Sequence, residues 1–159
     1  MAETPRDPNP PEPSHEPEPG PPGVIVGVDG SESSVAALRY AADLAPKLGL
    51  RVRALAVWNY PVFIYGGYYP QIDWTPEDDA ERIVARSAEE VFGTELPEWF
   101  ATRIRLGRPA ETLIDESRYA EMLVVGSRGH GGFAGLLLGS VSAACAEHAH
   151  CPVLVVHGR

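Results

Sequence analysis

The sequence predicts an α/β fold: a doubly wound, Rossmann-like domain built on a single parallel sheet of five strands, with helices on both faces. Three observations carry that expectation. From Gly23 onward, short apolar runs alternate with stretches of helical periodicity. The first and last runs, Val24-Ile25-Val26-Gly27-Val28 and "PVLVVH", are apolar at consecutive positions, as strands covered on both faces are. The chain has 159 residues, enough for one domain with a real core and too few for two. Strand and helix in alternation imply parallel strands joined by right-handed crossovers.

The elements follow in order. After the first strand, Ser31 caps a helix with Glu32 favourably placed against its dipole. Val35, Leu38, Ala41, Ala42 and Ala45 recur near helical spacing, Pro46 is expected to kink the last turn, and Gly49 ends it. Val52 to Trp58 is the second strand, followed by an aromatic-rich loop, "WNYPVFIYGGYYPQIDW". Thr75-Pro76-Glu77-Asp78 has the order cap, proline, acids and opens a helix to about Phe92. Ala101 to Leu106 alternates, Ile104 and Leu106 apolar and Arg103 and Arg105 charged, as a half-exposed edge strand does. Gly107-Arg108-Pro109 turns into a short helix through Leu113 and Ile114. Met122 to Val125 is the fourth strand, a helix spans Ser140 to about Ala149, and Pro152 to His157 is the fifth strand.

Residues 1–22 read differently. They hold nine prolines, five acids and one arginine, with no aliphatic side chain larger than Met1, so a disordered, extended tail is expected before a domain at 23–159. Without a basic start and an apolar core the tail is no signal peptide. The net charge is −9, of which the tail carries −4 and the rest −5. A domain that acidic is a poor partner for nucleic acid or a membrane surface, and no apolar run approaches bilayer-spanning length. Two cysteines, Cys145 and Cys151, make no disulfide framework. The expectation is a soluble, cytoplasmic protein.

The chemistry lies in "LVVGSRGHGGFAGLLLGSVS", residues 123–142. Gly126-Ser127-Arg128-Gly129 leaves a strand end; nine residues later Gly139-Ser140 opens a helix. A helix N-terminus presents unpaired N–H groups and a partial positive charge, and glycines upstream let further amides converge without Cβ obstruction. Ser140 and Ser142 add hydroxyls, and Arg128 adds a planar, charged donor fork. The stretch reads as a phosphate cradle; the plainer alternative is a loop with Ser140 as an ordinary N-cap. If the first strand lies beside the fourth, Asp29 and Gly126 face each other across one crevice. Gly126 and Gly129 are then ligand-facing, and larger residues there should weaken binding while leaving the fold intact.

"VIVGVDGSESS", "GRPAETL", "LVVGSRGHGG", "LLLGSVS" and "HCPVLVV" together resemble the universal stress protein family, over nearly everything from Gly23 to Arg159. The most specific element is glycine, two residues, glycine, nine residues, glycine-serine, which marks the family's ATP-binding branch. The resemblance implies strand order 3-2-1-4-5 and an apolar edge at residues 152–157 through which members commonly form homodimers. It places Val28, Asp29 and the backbone of Val57 beside adenine and ribose, and Val125 and Gly126 against the ribose. Arg128, Gly129, Gly139, Ser140, Val141 and Ser142 would hold the phosphates of ATP with Mg²⁺. Glu121 stands where an aspartate is usual, and Pro46 interrupts a helix normally continuous.

Other readings fit the sequence less well. A Walker A loop would need a Gly-Lys-Ser/Thr ending, which is absent. Gly129, Gly131 and Ala134 formally match the dinucleotide fingerprint, but four residues late and without the later acid. Cys145, His148, His150 and Cys151 crowd together as zinc ligands would, yet Cys145 and His148 share a helix face that His150 leaves. The aromatics from Tyr60 to Trp74 suit a loop folded over the strand ends. For ATP hydrolysis only Asp29 and His130 are near enough to orient water, so slow turnover or autophosphorylation is the most expected. The resemblance leaves three functions open: a nucleotide-bound stress regulator signalling to an unknown protein partner, a slow ATPase, and a binder of another adenine nucleotide such as cyclic AMP.

Overall fold

The computed structural model describes residues 23–60, 75–130 and 137–158. The tail at 1–22, most of the aromatic loop, and Gly131 and Ala134 lie outside the described residues. The elements are β1 (Gly23–Gly27), α1 (Glu32–Leu44), β2 (Arg51–Trp58), α2 (Pro76–Phe92), β3 (Phe100–Leu106), α3 (Pro109–Glu116), β4 (Met122–Gly126), α4 (Ser140–His148) and β5 (Val153–Val156). The five strands form one parallel sheet in the order β3-β2-β1-β4-β5.

Side-chain alternation along the central strands builds two cores. Val24 and Val26 of β1, Ala54 and Ala56 of β2 and Val124 of β4 pack with Leu38 and Ala41 of α1 and Val84 and Ala88 of α2. Ile25, Leu55, Leu123 and Val125 point to the other face and meet Leu113 of α3 and Cys145 of α4. The buried stretches Val24–Val26, Ala54–Ala56 and Leu123–Val125 are thus apolar at consecutive positions because both faces of the sheet are covered by helices.

Three expectations need correction. Pro46 does not kink α1: the helix closes at Leu44, and a 3-10 turn over Ala45–Leu48 follows, ended by Gly49 at φ 67°. Proline lacks the N–H that the next α-helical rung requires, so the tighter turn takes over. Val28 falls one residue beyond β1, although its N–H still bonds the Leu55 carbonyl at 2.9 Å. On β3, Arg103 and Arg105 do not face water. Their side chains are 24% and 13% exposed and converge on Glu116 of α3, itself 2% exposed, with Arg105 in direct ion pair and Arg103 at 4.0 Å. Alternation distinguishes two faces, but it does not distinguish water from a buried carboxylate.

Candidate functional site

The neighbours β1 and β4 send the chain to opposite faces, β1 into α1 and β4 towards α4, which opens a crevice beyond their carboxyl ends. A cleft of about 350 Å³ occupies it. All eleven residues singled out from the sequence line this cleft: Val28, Asp29, Val57, Val125, Gly126, Arg128, Gly129, Gly139, Ser140, Val141 and Ser142. Ser31, Ser34, Leu55, Pro109 and Leu113 line it too, and sequence reasoning passed them over. Leu55 was accessible by strand period from Val57, and Leu113 by one helical turn from Pro109. His130, met above only as a candidate to orient water, is also at the wall.

One end of the cleft holds an open piece of sheet. The β1–β2 ladder stops at the Gly27–Leu55 pair and the Val28-to-Leu55 bond. In a parallel ladder alternate residues bond to the same neighbour, so Val57 turns its N–H and C=O towards the side where β1 has ended. Among the described residues, neither group has a backbone partner on that side. A donor and an acceptor on one residue therefore face the cleft.

The other end is the N-terminus of α4. The first-turn amides of Ser140, Val141 and Ser142 have no partner within the helix. The Gly139 amide is engaged, donating to the Ser127 carbonyl at 2.7 Å. The Ser142 hydroxyl lies 2.9 Å from the Ser127 carbonyl and 3.1 Å from that of Gly139, so its proton goes to the loop's own main chain. The sequence suggests direct service to a phosphate for both; in the structure they tie the loop to the helix. Arg128 forms no ion pair among the described residues.

Asp29 is held by the start of α1. Its Oδ1 accepts from the Ser31 N–H at 2.9 Å and from the Ser31 hydroxyl, while Ser31 Oγ also caps α1 by accepting from Ser34 N–H. Partial burial pushes the carboxyl's pKa up, but the Ser31 and Ser34 hydrogen bonds and the nearby His130 outweigh it and hold the value below the ordinary carboxylate range. His130 Nε2 lies 3.0 Å from the Asp29 carbonyl oxygen, bridging the loop after β4 to the end of β1.

The two glycines of the loop have different reasons to be glycine. A Cβ at Gly129 would stand 2.7 Å from Asp29 Oδ2, and both residues line the cleft. A Cβ at Gly126 would come within 2.4 Å of Ser33 Oγ and 2.6 Å of its carbonyl carbon. Gly126 borders the cleft, yet what its missing side chain admits is the α1 backbone. The expectation that substituting it would spare the fold is therefore overturned.

The four candidate zinc ligands do not converge: no cluster of three metal-binding side chains exists among the described residues. Cys145 is buried against Leu123 and Val125, and burial, with Cys151 adding to it, raises its thiol pKa to about 11.

Fold and cleft together define an α/β domain with an open cleft at the switch point of its sheet, bordered at one end by a helix N-terminus. The universal stress protein family model matches residues 23–157, beginning where the proline-rich segment ends. The chain belongs to the universal stress protein family. A universal stress protein of Mycolicibacterium smegmatis is 40% identical over 139 residues, which cover 86% of this chain and 46% of the relative. The chain thus spans about half the length of the curated relatives it matches. Among solved structures, a universal stress protein in complex with cAMP superposes with TM-score 0.64 at 24% identity, covering 87% of this chain and 98% of that one. A family protein from Arabidopsis thaliana with AMP bound gives TM-score 0.59 at 21% identity, covering 87% and 93%. At those identities the likeness shows the shared fold.

Proposed function

We propose that this chain binds an adenine nucleotide in the cleft, ATP with Mg²⁺ first, and acts as a stress-response regulator whose bound state is sensed by a protein partner. The carrying observation is the pairing of two features in one crevice: the open Val57 edge at one end and the free α4 amides with Arg128 at the other. Adenine offers an amino donor beside a ring-nitrogen acceptor, matching the Val57 C=O and N–H; guanine offers the reverse polarity. Each group left unmatched costs about 1–3 kcal/mol, and guanine mismatches both, so a preference for adenine of at least about tenfold follows. Among the described residues Asp29 is the only carboxylate lining the cleft, so Mg²⁺ would arrive on the phosphates rather than in a protein cage.

His130 Nε2 rests on the Asp29 carbonyl and the Asp29 carboxylate is engaged by Ser31, which favours a binder over a rapid hydrolase. A second reading, a nucleoside monophosphate such as AMP or cyclic AMP, is favoured by the internal use of the Gly139 amide and Ser142 hydroxyl, which leaves fewer donors for three phosphates. Structural neighbours are described with both ligands bound. The four residues of β5 are all half-buried at the sheet edge, and pairing of residues 152–157 with a second copy forms part of the proposal.

Calorimetric titration with ATP, AMP, cyclic AMP and GTP tests the reading. Binding of ATP with GTP at least tenfold weaker is expected. Tighter AMP or cyclic AMP binding would select the second reading, and equal affinity for GTP would overturn the adenine assignment.

A further inference from the structure

Within the proposed nucleotide site, on which this inference rests, the loop amide best placed to meet an anion is that of Gly129, and its direction is set from behind. The Arg128 carbonyl accepts a hydrogen bond from the Ser33 hydroxyl, and the Arg128 N–H donates to the same Ser33 oxygen at 3.4 Å. Ser31 Oγ also lies 3.4 Å from that carbonyl, but its proton is engaged by the Asp29 carboxylate. Ser33 is buried and does not line the cleft, whereas Arg128 and Gly129 do. The Arg128 carbonyl therefore points away from the cleft into α1. In a trans peptide the C=O of one residue and the N–H of the next point in opposite directions, and no described peptide is cis. The Gly129 N–H is thereby turned into the cleft. No described residue accepts from it, and the space beside it is open because residue 139 is glycine: a Cβ there would stand 3.5 Å from the Gly129 nitrogen.

We propose that Ser33 is a positioning residue of the nucleotide site, a latch that fixes the 128–129 peptide so that the Gly129 amide, rather than the Arg128 carbonyl, faces the ligand phosphate. Without the latch, the glycine at 129 lets this peptide rotate, and a carbonyl dipole turned to the cleft would repel the anion that the amide attracts. The role is directional, so its loss falls on the phosphate and spares the base, which meets Val57 on the far side.

The test is Ser33→Ala, titrated with ATP and with adenosine, beside Gly139→Ala, which leaves the latch in place and puts a methyl before the amide. In both variants ATP affinity is expected to fall about tenfold with adenosine affinity unchanged. In ¹⁵N-resolved spectra the downfield shift of the Gly129 amide on adding ATP should disappear in Ser33→Ala. An unchanged ATP-to-adenosine ratio in Ser33→Ala, whether both affinities persist or both fall together, would overturn the latch. If the unaltered protein binds neither ligand, the nucleotide reading itself fails; if it binds ATP with no shift at Gly129, the latch alone does.

Discussion

Gly126 and Gly129 stand three residues apart, and a methyl group would meet helix backbone at the first and the tip of a carboxylate at the second. Gly126→Ala is therefore expected to lower unfolding stability by about 1–3 kcal/mol, as overpacking does. Gly129→Ala should stay within about 0.5 kcal/mol of the parent while weakening nucleotide binding. Urea unfolding and calorimetry on the same samples separate the two. The sequence identified both glycines as close-approach points; it did not reveal which neighbour approached, because Ser33 lies 93 residues away from Gly126 in the chain. Asp29 supports a second prediction. Its carboxyl value is held down chiefly by Ser31 against the upward push of burial, so Ser31→Ala should move the midpoint upward in a pH titration followed by carboxyl ¹³C shifts. Because the folded value lies below the unfolded one, the stability this carboxylate contributes is complete above the ordinary aspartate range and lost as pH falls through the folded midpoint. The part of the Ser31→Ala deficit due to Asp29 should accordingly shrink in acid, leaving the cost of the lost N-cap, about 1 kcal/mol.

At the level of elements, capping chemistry and periodicity made most boundaries legible. Thr75 forms the full capping box with Asp78, and Ser31 caps α1 as its position suggested. The wall formed by α3 was less legible. Its contribution depends on how the helix is pinned, and the pin is Glu116 reaching Arg105 and Arg103 on β3, a pairing across 11 and 13 residues that no local pattern announces. Glu116→Ala removes an acidic partner shared by two largely buried guanidinium groups and is expected to cost about 3–5 kcal/mol, measurable by denaturant unfolding. Since the same helix carries Pro109 and Leu113 into the cleft, adenosine binding should weaken along with it, in contrast to Ser33→Ala.

For the whole molecule, alternation of strand and helix indicated a parallel sheet but not the sequence of its strands, since any right-handed set of crossovers satisfies the same pattern; the order 3-2-1-4-5 came from family resemblance and is the order observed. That order sets β4 and β5 side by side, so the chain leaving each arrives at the same turn of α1. Ser33 meets the end of β4 at Gly126, the chain beyond β5 at Gly158, where a Cβ would lie 3.0 Å from its Cα, and the loop at Arg128. Gly126→Ala and Gly158→Ala should consequently combine non-additively in unfolding free energy, by about 0.5 kcal/mol or more, because relieving one clash moves the atom that the other meets. Three strangers in sequence share a single abutment there. A nudge delivered to the sheet's outer margin would thus arrive, within one residue's breadth, at the hinge of the peptide that joins Arg128 to Gly129.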